Sequence, residues 1–260
     1  MEIAGYVALI CVGAMLGMTG GGGSILSVPI LVYLFSLDVV MASAYSLFIV
    51  GITSTVGTVI KQKERMVDVR AGIIFAVPSI LAAFTARKWV LPAIPDLILH
   101  VGSFQLTKRG LLLGILAFVI IVVSVRTILN GRAKVQVDGP VASYWLIPMG
   151  LIAGILAGLL GVGGGFLILP ALVVFARIPF GSAVGTTLFI IALNSLLAFT
   201  GDILNYAINW TFLLSITGLS IAGVYVGIAS NRMIPAQPLQ KSLGWITLGV
   251  GIWILITELG

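Results

Sequence analysis

Long stretches without a charged residue limit what this chain can fold into. Four examples, each at least 16 residues long, are 39–60, 71–86, 110–125 and 242–257. Only 8% of all residues are charged, whereas soluble domains carry about 25%. A helix needs about 20 apolar residues to cross a bilayer, and the strict alternation of barrel strands is absent. The sequence therefore predicts an all-α, polytopic helical bundle in a lipid bilayer.

The second half of the chain repeats the first with an offset of 141 residues. The repeated glycines are Gly13, Gly17, Gly20, Gly22 and Gly23, which fall on Gly154, Gly158, Gly161, Gly163 and Gly164. Pro29 coincides with Pro170, and Asp68 coincides with Asn209. Such internal duplication is typical of transporter folds. We predict a first membrane repeat at 1–130, a polar cytoplasmic linker at 131–143 and a second membrane repeat at 144–260.

Each half contains five apolar segments, of which the second is short. The segments are 3–18, 24–37, 39–60, 70–90 and 109–129, then 144–160, 165–176, 181–204, 210–230 and 239–258. About 13 residues of helix extend roughly 20 Å, too little for a hydrocarbon core of about 30 Å. The short segments are therefore expected to be broken or re-entrant helices.

Two topologies remain open from the segments alone. If the first two segments of each half form one broken span, the halves point the same way, and the 14 basic residues divide seven against seven. If they form a re-entrant hairpin or two crossings, the second half is inverted, and ten basic residues share one face. These ten are Lys61, Lys63, Arg65, Arg70, Arg126, Arg132, Lys134, Arg177, Arg232 and Lys241.

The positive-inside rule favours the second topology, an inverted repeat. Both termini are then expected outside an inner or plasma membrane, with loops 61–70 and 130–143 in the cytoplasm. The basic loop 87–109 is an exception, because this topology places it outside. No charged residue falls in the middle of a predicted span, which argues against a buried carboxylate relay or a cation site.

The glycine runs at 20–23 and 163–165 cannot continue a stable helix, since each glycine costs roughly 1 kcal/mol relative to alanine. A helix that begins after such a break presents free N–H groups, which favour anions. We expect backbone amides of the two breaks to meet near the bilayer midplane and bind an anion. The residues concerned are Gly21, Gly22, Gly23, Ser24, Gly163, Gly164 and Gly165.

Polar side chains on the third segment of each half are further candidates for the site. Thr53 and Ser54 lie on the first, and Asn194 and Ser195 lie on the second. Hydroxyl and amide groups can bind an oxyanion without the desolvation cost of a buried charge. The alternative is that these side chains bond to carbonyls of their own helix or across helices.

Other interpretations of the glycines stay open. Gly13 and Gly17, like Gly154 and Gly158, have the spacing that brings membrane helices into close contact. The helix before each break also ends there, and its carbonyl groups favour cations instead of anions. The chain has no hydrolase triad, metal cluster or phosphate loop, so we expect no enzyme activity, cofactor, metal or nucleic acid partner. A homodimer is compatible with the sequence.

Two stretches resemble the TauE/SafE sulfite exporter family of membrane permeases. They are GAMLGMTGGGGSILSVPIL at 13–31 and GILAGLLGVGGGFLILPAL at 154–172, and similar features extend across nearly all 260 residues. One difference between the copies is Ser24, which stands where the second has Gly165. The resemblance implies a transporter that exports a small sulfur-containing anion, such as sulfite or an organosulfonate, or another organic anion. An ion channel and a non-transporting scaffold are the alternatives.

Overall fold

A computed structural model describes residues 2–101, 104–129, 145–203, 205–230 and 236–259. The first half contains α1 (Glu2–Thr19), a 3₁₀ turn (Gly22–Leu26), α2 (Ser27–Tyr33), α3 (Val39–Lys63), α4 (Val69–Thr85), a π-helical turn (Ala86–Val90) and α5 (Leu91–Ala93). It continues with β1 (Leu97–Val101), β2 (Phe104–Thr107) and α6 (Lys108–Leu129). The second half contains α7 (Leu146–Leu160), α8 (Gly165–Val174), α9 (Phe180–Ile203), α10 (Trp210–Ser230) and α11 (Ala236–Leu259).

The helices confirm the predicted all-α, polytopic architecture. Within the described residues, five helical stretches are long and apolar enough to cross a membrane: Val39–Lys63, Val69–Ala93, Lys108–Leu129, Phe180–Ile203 and Trp210–Ser230. Shorter apolar helices include Gly22–Tyr33 and Gly165–Val174, the two short segments expected from the sequence. The linker predicted at 131–143 lies outside the described residues, and the repeat boundaries stay predictions.

Side-chain caps fix where equivalent helices begin. The carboxylate of Asp68 accepts a hydrogen bond from the Ala71 N–H at the start of α4. Asn209, its counterpart, accepts one from the Phe212 N–H at the start of α10. Both residue types are favoured caps because their oxygens satisfy amides that the helix leaves free.

The region 87–109 is more structured than the loop expected from the sequence. The helix that begins at Val69 continues through the π-helical turn to Ala93, and Arg87 therefore belongs to a helix. After it, β1 and β2 form an antiparallel hairpin, in which Val101 pairs with Phe104. The hairpin was not predicted, since it lies between spans where the search for apolar runs gives no signal.

The two halves exchange their packing partners. Helix α1 packs on α10 of the other half, where Gly13 and Gly17 face the main-chain carbonyls of Ser220 and Val224. Helix α7 packs on α4 in the equivalent way, with Gly154 and Gly158 facing the carbonyls of Ser79 and Ala83. A Cβ atom at any of these glycines would collide with the facing main chain. The predicted role of these four glycines in close helix packing is therefore confirmed.

Helices α3 and α9, which correspond in the duplication, pack against each other and run antiparallel. Gly51 of α3 lies beside Leu196, and Gly57, further along α3, lies beside Leu188, which is earlier in α9. Helices α6 and α11 are also antiparallel neighbours, and the hydroxyls of Ser124 and Thr247 are 2.6 Å apart. Helices α3 and α9 form the centre of the protein, because they are the most deeply buried of the long helices.

Candidate functional site

Both glycine breaks adopt backbone conformations that favour glycine. The φ angles are 72° at Gly20 and 153° at Gly21 in the first break. They are 71° at Gly161, 72° at Gly163 and 76° at Gly164 in the second. Side chains on L-residues disfavour this left-handed region. The predicted breaks therefore lie where the sequence indicates, between α1 and α2 and between α7 and α8.

The two breaks touch main chain to main chain. A Cβ atom at Gly21 would lie 2.8 Å from the Cα of Gly165, and one at Gly165 would lie 2.6 Å from the Cα of Gly21. Such distances are available only to glycine, since real Cβ atoms keep further from their neighbours. The structure thus brings Gly21 and Gly165 together, as expected for breaks that meet.

Two amides of the first break are already occupied. The N–H of Gly22 donates to the Thr19 hydroxyl at 3.1 Å, and the N–H of Ser24 donates to the Gly21 carbonyl at 3.3 Å. The Ser24 hydroxyl also donates to that carbonyl, at 2.7 Å. The expectation of free amides at these two positions was wrong, because a 3₁₀ turn begins at Gly22 and Thr19 caps it. Sequence reasoning missed Thr19, whose position directly before the glycines is the signal for such a cap.

The second break leaves the start of α8 uncapped. No side chain caps this ten-residue helix, and its first amides bonded to the Gly164 carbonyl are those of Leu167 and Ile168. The N–H groups of Gly165 and Phe166 lie in the first turn of α8, where a helix offers its amides no carbonyl of its own. The N-terminus of α8 therefore carries the partial positive charge and the first-turn N–H donors that favour an anion.

Buried polar side chains without a partner lie on the pair α3–α9. Ser54, Asn194 and Ser195, which we call the central polar cluster, are fully buried, and their polar atoms form no hydrogen bond with any described residue. Both the oxygen and the nitrogen of the Asn194 amide are unpaired. Most buried polar groups in proteins have partners, and an unsatisfied one costs about 1–3 kcal/mol. These three predicted residues therefore have unused capacity to bind a ligand.

Thr53 bonds to carbonyls of its own helix, which was the alternative interpretation of these polar side chains. Its hydroxyl donates to the carbonyl of Ile49 at 2.6 Å and contacts that of Val50 at 3.1 Å, both in its own helix. Ser46 and Thr187, an equivalent pair on α3 and α9, are also buried and unpaired within the described residues. Sequence reasoning missed Ser46, although the 141-residue offset that relates it to Thr187 was available.

The uncapped break lies against the central polar cluster. A Cβ atom at Gly163 would be 3.1 Å from the Ser195 hydroxyl and 2.9 Å from the Val50 side chain on α3. Ile191, one turn before Ser195, contacts both Gly163 and Gly165. The antiparallel register of α3 and α9 places Thr53 about level with Asn194. The second break, the central polar cluster and the α3–α9 contact thus converge in one region.

One charged pair is buried, although the sequence placed Arg87 in an outer loop. The Arg87 Nε lies 2.7 Å from both carboxylate oxygens of Asp202, and both side chains are almost fully buried. The remaining nitrogens donate to the Gly158 carbonyl at 3.0 Å and to the Ser43 hydroxyl at 2.9 Å. The placement of Arg87 in a loop was wrong because the helix continues past it and Asp202 neutralises its charge.

A separate surface cavity of about 330 Å³ lies near the start of α3 and the β-hairpin. Its charged lining residues are Asp38, Asp96, Lys108 and Arg109, of both signs. It includes no residue of either glycine break or of the central polar cluster. We therefore place the candidate site at the breaks and not in this cavity.

Comparisons with known proteins identify the family of membrane proteins to which the chain belongs. A family model described as sulfite exporter TauE/SafE matches residues 6–254. A probable membrane transporter protein of Xylella fastidiosa (strain Temecula1) is 28% identical over 260 residues, which cover 94% of this chain and 91% of the relative. The probable membrane transporter protein YunE of Bacillus subtilis is 25% identical, with 96% of this chain and 97% of the relative covered. No solved structure matches the chain. The chain is a multi-pass membrane protein and belongs to the sulfite exporter TauE/SafE family, whose relatives are described as membrane transporters.

Proposed function

We propose that this protein exports a small sulfur-containing oxyanion, such as sulfite or an organosulfonate, by alternating access at the two glycine breaks. The observation that carries the proposal is the central polar cluster, Ser54, Asn194 and Ser195, buried without partners beside the uncapped start of α8. Hydroxyl, amide and backbone N–H donors together suit an oxyanion, and their effect is strongest where water is excluded. The family description supports the substrate class.

The two halves would bind the anion unequally. In the second half, the anion would lie against the main chain of Gly163, Gly164 and Gly165 and accept hydrogen bonds from the first amides of α8. In the first half, Gly21 provides the close approach, while the amides of Gly22 and Ser24 are already bonded. We therefore assign the anion chiefly to the second break, with Gly21 forming the wall of the site.

Many transporters that work by alternating access have halves related by a two-fold axis in the membrane plane, and the helix contacts support such an inverted repeat. Equivalent helices α3 and α9 pack antiparallel, which a two-fold axis perpendicular to them produces. The Met66 carbonyl lies against Gly185, so the loop after α3 is beside the start of α9. This neighbourhood favours the topology in which loop 61–70 and Arg177 share the basic, cytoplasmic face of the inner or plasma membrane.

Flux of sulfite and of a panel of small sulfonates into liposomes containing the purified protein tests the proposal. We expect saturable anion flux that Asn194→Leu abolishes, because leucine keeps the branched shape but donates no hydrogen bond. Thr217→Val is the matched control, since Thr217 is also buried but its hydroxyl bonds to the Leu213 carbonyl of its own helix, α10. This variant is expected to retain flux.

Two results would overturn the proposal. Equal flux in the Asn194→Leu variant and the unmodified protein would remove the central polar cluster from the site. A cation current without any anion flux would indicate that the carbonyl ends of the broken helices are the working ends, as in a channel.

A further inference from the structure

The buried pair of Arg87 and Asp202 joins four elements from both halves at one end of the α3–α9 pair. Arg87 lies in the π-helical turn after α4, and Asp202 lies in the last turn of α9. Through Gly158 and Ser43, the same guanidinium also holds the end of α7 and the beginning of α3. We call this place the Arg87 end of the site. A π-helical turn inside an α-helix frequently marks a functional position.

The Arg87 end borders the second glycine break. Gly158 precedes the break by three residues, and Ser43 lies directly against Gly161. Along α9, Asp202 is seven residues from Ser195, a distance of roughly 10 Å in a helix. Ser46 is one turn from Ser43 on α3, in the direction of the central polar cluster. The ion pair is therefore the last member, at this end, of a row of buried polar residues along α3 and α9.

The opposite end has no equivalent ion pair among the described residues. The 141-residue offset relates Arg87 to Ile228 and Asp202 to Lys61. Ile228 packs on Gly17, with its Cγ1 3.2 Å from where a Cβ of that glycine would lie. Lys61, in the last turn of α3, instead pairs at 2.7 Å with Glu64, which directly follows that helix. At this end, which we call the Lys61 end, the Asp68 N–H donates to the Thr186 hydroxyl at 2.8 Å. Neutral contacts between the halves thus close the Lys61 end within the described residues, whereas a charge pair closes the Arg87 end.

An anionic substrate can open the Arg87 end without leaving the guanidinium of Arg87 unpaired. Separating a buried pair is costly because each ion then lacks a partner. A guanidinium binds carboxylates and other oxyanions through the same donor geometry. A sulfonate that reaches Arg87 can therefore replace the Asp202 carboxylate on the guanidinium. As α9 and α4 separate, water enters this end and hydrates the released carboxylate, so that neither charge stays buried and unpaired.

We propose that the Arg87–Asp202 pair is a gate on one side of the transport site, opened when the substrate anion replaces Asp202 on Arg87. This proposal rests on the transport function proposed above. It also gives the two sides different opening requirements: the Arg87 end responds to the anion, and the Lys61 end does not.

The rate at which a maleimide labels an introduced cysteine reports whether the Arg87 end is open, and this measurement does not depend on transport. With Cys11→Ser as the background, Ser46→Cys reports on the Arg87 end and Thr187→Cys on the Lys61 end. Membrane-impermeant maleimide is added from each side of vesicles in turn. We expect Asp202→Asn to raise the labelling rate at position 46 at least about tenfold from the Arg87 side, without raising it at position 187. Asp202→Glu, which keeps the charge, retains slow labelling.

Methanesulfonate, which is inert towards the thiol and the maleimide, is the anion probe. We expect it to accelerate labelling at position 46 when Asp202 is present and to add nothing in the Asp202→Asn variant. Glu64→Gln, which breaks the ion pair at the other end, is the matched control and leaves both rates unchanged. A monodisperse elution profile and a cooperative melting transition confirm that each variant is folded.

Three results would overturn the gate: unchanged labelling in folded Asp202→Asn, equal acceleration at both positions, or no response to methanesulfonate. The flux assay distinguishes this failure from that of the transport proposal. If labelling responds to Asp202→Asn and to methanesulfonate while Asn194→Leu retains full flux, the gate stands and the assigned binding site falls.

Discussion

Replacing Asn194 with leucine is expected to stabilise the protein while abolishing its flux. Both polar atoms of the Asn194 amide are buried and have no partner among the described residues. A buried unsatisfied group costs about 1–3 kcal/mol, and an apolar side chain of the same shape removes that cost. We therefore expect the free energy of unfolding to rise by about 1–3 kcal/mol in Asn194→Leu.

Thermal unfolding in detergent measures this change, because the five tryptophans give a fluorescence signal. Each kcal/mol shifts Tm by about 2–4 °C in a protein of this size, so Tm should rise by roughly 2–12 °C. The Tm of the Thr217→Val variant should not rise in this way, since this substitution removes a hydroxyl that already has a hydrogen-bond partner. A Tm that falls by several degrees in Asn194→Leu would refute the reasoning, because it would mean that the amide holds the helices together.

Three further variants test the packing and the electrostatics by the same unfolding measurement. Arg87→Met leaves Asp202 buried and unpaired, and should cost about 3–5 kcal/mol; an unchanged Tm would contradict the burial of the pair. Gly165→Ala forces a methyl group into the facing main chain and should cost about 1–3 kcal/mol. Gly218→Ala, which meets nothing within 4 Å, is its control and should stabilise the protein by about 0.5–1 kcal/mol through the higher helix propensity of alanine. Asp68→Ala removes the cap of α4 and should cost about 0.5–2 kcal/mol.

Properties encoded over a few neighbouring residues could be predicted from the sequence. The uncharged stretches determine where helices can cross a bilayer, and runs of glycine determine where the backbone leaves helical geometry. The four-residue spacing of Gly13 and Gly17 predicts a surface against which another helix can pack closely. These features are local, so the described helices and both breaks lie close to their predicted positions.

Features that depend on distant partners could not be predicted in the same way. Arg87 and Asp202 are 115 residues apart, and a basic residue near a segment end is equally typical of a loop. The difference between Thr53, which bonds to its own helix, and Ser54, which does not, depends on which way each hydroxyl turns. Nothing in the sequence around these two residues encodes that choice.

The exchange of packing partners between the halves also affects how the protein is made. Ser220 of α10 bonds to the carbonyl of Leu9 in α1, 211 residues earlier in the chain. At a synthesis rate of about 5–20 residues per second, α1 leaves the ribosome roughly 10–40 s before its partner exists. During that time its glycine-lined face has only lipid or the insertion machinery as a neighbour. The first half therefore cannot complete its own packing as it is synthesised, and assembly has to wait for the last third of the chain.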